Sequence, residues 1–162
     1  MLGCSFTGHR QIKKAHEAPL TDLLRRAVEY AYSEGCRSFY LGGAVGFDTL
    51  AAKCVLSFRM RHRDVRMCMV LPCKNQAQCW AAADRDMYEY LLSVADEVIY
   101  ICDEYYDGCM KDRNRKLVEL CDMLIAYVSK SNSGAAQTVR MANAEGKTVY
   151  NLYGEADILS AK

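Results

Sequence analysis

Apolar and polar positions in this chain follow two alternating periods. Short apolar runs of four to seven residues are each followed by a longer stretch in which apolar residues recur every three or four positions, the pattern of strands alternating with amphipathic helices. Strands are predicted at Leu2–Phe6, Ser38–Leu41, Val65–Leu71, Glu97–Ile101, Met123–Val128 and Thr148–Leu152. Helices are predicted at Leu20–Ser33, Thr49–Arg61, Gln78–Val94, Asp112–Cys121 and Ala136–Ala144. The first helix carries Leu20, Leu23, Leu24, Ala27, Val28 and Ala31 on one face, with Gly35 as its C-cap. Asp48 is placed to cap the second. Val65–Leu71 is almost continuously apolar, as a strand buried on both faces must be, and Pro72 ends it. The last ten residues read as a short tail. Strand and helix alternating in this way give an α/β protein with a mostly parallel sheet of about six strands, helices on both faces, and no internal boundary or repeat.

Composition narrows the function classes. A chain of 162 residues, 51% hydrophobic and 25% charged, supports one globular core and excludes disordered or collagenous readings. Lysine plus arginine (21) almost balances aspartate plus glutamate (20), so a net charge of +1 supplies no global field toward nucleic acid or an anionic membrane. The nine cysteines are an odd number in a chain large enough to need no staples, which predicts free thiols. Cys68, Cys73 and Cys79 with His62 come nearest to a metal cluster. No Cys-x-x-Cys occurs, so these thiols are expected in the core and no metal is expected. No apolar run reaches the length of a membrane span, and Met1–Phe6 lacks the features of a signal peptide, which predicts a cytoplasmic protein without a membrane partner.

In a parallel sheet all strand-to-helix loops share one edge, and here that edge collects the unusual residues. Thr7-Gly8-His9-Arg10 follows the first strand and Gly42-Gly43-Ala44-Val45-Gly46-Phe47-Asp48 the second. Pro72 to Gln76 follows the third, Asp103 to Arg115 the fourth, and Ser131-Asn132-Ser133-Gly134-Ala135 the fifth. Glycines between a strand and a helix let backbone N–H groups approach an anion at the positive helix end, so Gly42, Gly43, Ala44 and Gly46 are candidates for a phosphate cradle, with a plain tight turn as the alternative. The loop is neither a P-loop nor the dinucleotide fingerprint: no Gly-Lys-Ser/Thr follows, and Leu41 stands where the first fingerprint glycine belongs. Ser133 and Gly134 offer a second cradle by the same physics. Arg113 and Asn114, with Arg115, open a helix where cations oppose the macrodipole, a conflict that a bound anion would relieve and that solvation would also allow. Gly8, His9 and Arg10 are a further contact set, His9 serving a ligand or capping the loop. Asp48 suits a ribose hydroxyl or a helix cap, since a phosphate would repel it. Trp80, Tyr105 and Tyr106 are candidates for base stacking or for packing. The basic cluster Arg59, Arg61, His62, Arg63 and Arg66 reads as a solvated face.

Together these motifs resemble the SLOG superfamily, and within it the YpsA-like branch, which is related to DNA-processing protein A and the LOG phosphoribohydrolases. The resemblance runs through Ser5-Phe6-Thr7-Gly8-His9-Arg10, Gly42 to Ala52, Val70-Leu71-Pro72-Cys73, Cys109-Met110, Arg113-Asn114-Arg115, Ser133-Gly134-Ala135-Ala136 and Gly146-Lys147, nearly the whole chain. It implies one Rossmann-like domain over 1–162 and a pocket for a nucleotide-derived ligand between the two glycine-containing loops. The LOG enzymes pair an Arg with a Glu after a Pro-Gly-Gly-x-Gly-Thr loop. Arg113 matches the first, but Gln137, Thr138 and Val139 stand where the Glu would be, and no catalytic residue is identified. The expected function is therefore binding of an ADP-ribose-like or other phosphorylated nucleoside ligand, as a sensor or regulator. Two alternatives stand beside it: a nucleotide N-ribohydrolase using Asp103, Glu104 or Asp107, and a module binding single-stranded DNA. Self-association into a homo-oligomer is a further expectation.

Overall fold

Six strands, β1 (Leu2–Gly8), β2 (Cys36–Leu41), β3 (Arg66–Leu71), β4 (Glu97–Tyr100), β5 (Met123–Tyr127) and β6 (Thr148–Asn151), form one sheet in a computed structural model that describes residues 2–129 and 132–161. Every pairing is parallel, in the order β4-β3-β2-β1-β5-β6. The helices are α1 (Glu17–Ser33), α2 (Phe47–Arg59), α3 (Ala82–Val94), α4 (Cys109–Leu120), α5 (Gly134–Ala144) and α6 (Tyr153–Ser160), with a short 3-10 turn at Lys14–His16 before α1. The predicted α/β class is what the chain adopts.

Burial explains the pattern. Met67 to Leu71 in β3 and all of β5 are buried, which is why those runs are continuously apolar. The edge strands β4 and β6 contain no buried residue and alternate less clearly. Phe6, Phe39, Leu24, Phe47, Met69 and Tyr127 anchor the core between sheet and helices. Six of the nine cysteines are buried, and all nine are free thiols. Among the described residues no group of His, Cys, Asp or Glu is placed to hold a metal ion, and no helix is long and apolar enough to cross a membrane. The basic cluster is partly neutralised: Arg59 pairs with Asp96 at 2.6 Å and Arg66 with Glu97 at 3.6 Å.

Four expectations need correction. Residues 78 to 81 precede α3 in tight turns, Gln78 donating to the Asn75 carbonyl and Trp80 to that of Ala77, so the helix starts at Ala82. Helix α4 begins at Cys109, three residues early, because Gly108 takes the left-handed conformation (φ 93°) that starts it. Asp48 is not the cap of α2: Gly46 holds that position and Asp48 lies in the first turn. The C-terminal segment is helix α6 rather than a tail. His16, itself buried, ties it down by bonding Tyr127 Oη at 2.7 Å through Nδ1 and Asp157 Oδ1 at 2.6 Å through Nε2.

The strand order fixes where a ligand can go. From β1 the chain winds outward through β2, β3 and β4, then crosses back to add β5 and β6 on the other side. Between β1 and β5 the direction of winding reverses, and the loops leaving these two strands diverge to open a crevice at the carboxyl end of the sheet.

Candidate functional site

The crevice has a volume of about 320 Å³, and its wall is drawn from four elements: Gly8, His9 and Arg10 after β1, Ala44 and Asp48 around the start of α2, Arg113 and Asn114 on α4, and Ser133 and Gly134 at the start of α5. The loops after β2 and β5 therefore share one rim. Gly42, Gly43 and Gly46 do not line the space, although the sequence placed them with the ligand contacts, and Ser131 lies outside the described residues. Five wall residues stand outside the candidate contacts, Phe6, Thr7 and Ala135 beside the loops already singled out, and on α4 Met110 and Leu117. With Arg113 and Asn114 the last two occupy positions i, i+3, i+4 and i+7 of α4, a single helical stripe that could have shown them.

Arg113 is the centre of the site. Only 6% of it is exposed. Its Nη1 donates to the Gly42 carbonyl and its Nε to Asn114 Oδ1 at 2.8 Å, so the guanidinium plane is fixed. Gly42 permits this approach, because a Cβ there would stand 2.6 Å from Nη1. Burial pulls the Arg113 pKa down, opposed chiefly by the charge of Asp48, and no carboxylate lies within ion-pair distance of it among the described residues. Burying a cation without a bonded counter-ion costs free energy.

The two glycine-containing loops differ in what they leave open. After β2, the Ala44 N–H is donated to Asp48 Oδ2 at 3.2 Å, and the first N–H of α2, that of Phe47, goes to the His9 carbonyl at 3.1 Å. At α5 the Ser133 side chain caps the Ala136 N–H at 3.0 Å. Gly134 and Ala135 are the first two residues of that helix; their N–H groups have no intrahelical acceptor, and both residues line the crevice at the positive end of the helix dipole. Ser133→Ala is expected to lower stability by about 1 kcal/mol through loss of the cap, measurable by urea unfolding.

Asp48 is 7% exposed, and while Oδ2 accepts from Ala44, Oδ1 has no hydrogen-bond partner. Burial raises its pKa from 3.8 to about 6, against the pull of Arg113, the Ala44 N–H and Arg10. A carboxyl that is more easily protonated when folded than when unfolded destabilises the fold as it ionises. The loss develops between pH 4 and 6 and is complete above. Asp48→Asn is thus expected to raise the thermal midpoint at pH 8, by up to about 3 kcal/mol of stability at roughly 1.4 kcal/mol per pKa unit, with the gain gone at pH 4. Scanning fluorimetry across that range measures it.

The remaining candidates divide between the wall and the surface. His9 lines the crevice, and its Nε2 accepts from the Ser129 N–H at 2.8 Å, bracing the loops after β1 and β5. Asp103, Glu104 and Asp107 are exposed and absent from the wall, as are Tyr105, Tyr106 and Arg115. Trp80 packs edge-on against Tyr88, ring centroids 5.1 Å apart. A larger groove of about 500 Å³ between α1 and α2 is lined by Leu24, Leu50, Phe58 and Cys54, with Arg25, Lys53 and Arg61, but none of its charged residues is buried. Size alone does not make it the binding site.

Comparison with known proteins agrees with the fold. Residues 7–153 match the model of the YspA SLOG family (YpsA). The SPbeta prophage-derived protein YoqJ of Bacillus subtilis (strain 168) is 26% identical over 132 residues, covering 74% of this chain and 77% of its own length. The UPF0398 protein BH1768 of Halalkalibacterium halodurans is 27% identical over 139 residues, 83% of this chain and 69% of that one. Among solved structures, DNA processing protein A from Streptococcus pneumoniae superposes with a TM-score of 0.66 at 17% identity over 93% of this chain. The Helicobacter pylori protein of the same name, whose structure concerns its single-stranded DNA binding mode, gives 0.66 at 18% identity over 91%. The chain spans half of the first of these and 63% of the second, so what is shared is the fold.

Proposed function

This chain belongs to the YspA SLOG family, and from that premise we propose that its crevice binds a nucleotide-derived anion, a phosphorylated nucleoside or an ADP-ribose-like molecule, as a sensor or regulatory module. One observation carries the reading: the buried guanidinium of Arg113, clamped by Gly42 and Asn114, stands in the same crevice as the open N-terminus of α5. Fixed cationic donors and oriented backbone amides together select a phosphate. Arg10, exposed at the mouth, adds a second cation.

Binding without turnover fits the wall better than hydrolysis does. Asp48 is its one carboxylate among the described residues, and the acidic loop after β4 stands apart. Single-stranded DNA fits less well, because a phosphate backbone needs a track of cations and the net charge is +1. The test is calorimetric titration of the protein with AMP, ADP-ribose and inorganic phosphate, with chromatography for released adenine. Saturable binding of the nucleotides and no free base support the proposal. Adenine release would replace it with the hydrolase reading, and binding of single-stranded oligonucleotides alone would replace it with the DNA module.

A further inference from the structure

Arg113 and Ser133-Gly134 account for the anion, which leaves Asp48 unexplained: a carboxylate in an anion-binding crevice repels the ligand and burdens the fold. Its oxygens are acceptors only when ionised, with room for about four hydrogen bonds in all, and a single one is made, from Ala44 to Oδ2. The charged groups acting on it are Arg113 from α4 and Arg10 from the loop after β1, and neither lies within ion-pair distance. A polar group buried to this extent needs a donor, and among the described residues none is bonded to Oδ1.

Resting on the nucleotide reading above, we infer that the ligand itself supplies that donor, a free ribose hydroxyl bonded to the Asp48 carboxylate, and that Asp48 makes the site selective for nucleotides with an unesterified ribose. Position decides between hydroxyl and base amine. Asp48 and Arg113 stand against the same glycine: a Cβ on Gly42 would lie 2.6 Å from Arg113 Nη1 and 3.1 Å from Asp48 Oδ2. The ligand's anion and its donor must therefore be close neighbours, and in a nucleoside 5′-phosphate the ribose hydroxyls lie nearer the phosphate than any amine of the base. Repulsion between carboxylate and phosphate keeps the two ligand groups in order, since the reversed pose would place like charges together. An internal nucleotide of DNA has no free hydroxyl and would leave Asp48 buried and unpaired, a penalty that discriminates strongly.

The experiment is calorimetric titration of the whole chain with three probes: AMP, 2′,3′-dideoxy-AMP and inosine monophosphate. AMP is expected to bind about 10- to 100-fold more tightly than the dideoxy analogue, the range for a hydrogen bond to a charged group, and inosine monophosphate to bind like AMP. In Asp48→Asn, checked for folding by its melting curve, the gap between AMP and the dideoxy analogue is expected to shrink several-fold. Equal binding of AMP and the dideoxy analogue by the wild-type chain overturns the inference, as does a loss confined to inosine monophosphate or a gap unchanged in Asp48→Asn. Absence of binding by all three probes instead removes the nucleotide reading on which it rests.

Discussion

Gly46→Ala is expected to destabilise the protein by roughly 3–5 kcal/mol, which for a chain of this size is a fall in melting temperature of about 10 °C or more. Gly46 caps α2 with φ 84° and ψ −119°, a conformation that residues with a side chain rarely adopt. Space is the second obstacle. A Cβ at this position would overlap the carbonyl and Cα of Arg10, and backbone atoms cannot rotate away as a side chain can. The neighbouring Phe47 N–H is bonded to the His9 carbonyl at 3.1 Å, so forcing the two loops apart also breaks the contact that positions Arg10. Gly146 provides the control: its φ of 72° is also positive, but nothing lies within 4 Å of the added Cβ, and Gly146→Ala is expected to lose only about 1 kcal/mol. Equal melting temperatures for the two variants would show that the contact between the loops after β1 and β2 contributes little.

Arg113→Ala is expected to weaken AMP binding by about 1.5–3 kcal/mol, or roughly 10- to 150-fold, while Arg113→Lys recovers only part of the loss. Lysine restores the charge but not the planar fork that reaches Gly42 and Asn114. Stability should change less than affinity, because the substitution removes a buried charge and also leaves the Gly42 carbonyl and Asp48 without their cationic neighbour. Calorimetry on both variants, with folding checked by circular dichroism, reads the two effects separately. An unchanged affinity in Arg113→Ala would remove this residue from the site.

The strands and most helices were legible in the sequence because burial writes itself into periodicity: β3 and β5 are apolar throughout, and α1 shows its stripe of Leu20, Leu24, Val28 and Ala31. Helix α6 was not legible. It is short, and its attachment runs through His16, Tyr127 and Asp157, polar contacts between residues more than a hundred positions apart. In the site, the residues of the loops after β1 and β5 were found because small and charged residues cluster at one sheet edge. The role of the glycines after β2 was harder to see. Glycine signals close approach but not of what, and here the groups that approach are the Arg113 guanidinium at Gly42 and the Arg10 backbone at Gly46. Asp48 was legible as a polar residue at a helix start, yet nothing in sequence could show that one of its oxygens is buried without a partner.

Nitrogen-15 chemical-shift mapping during titration with AMP is the most direct test of where an anion sits. The largest changes are expected at the amides of Gly134, Ala135 and Ala136 and at Arg113 Nε, with smaller ones at Ala44 and Arg10. Changes centred instead on Leu24, Cys54 and Phe58, in the groove between α1 and α2, or no changes at all, would contradict it.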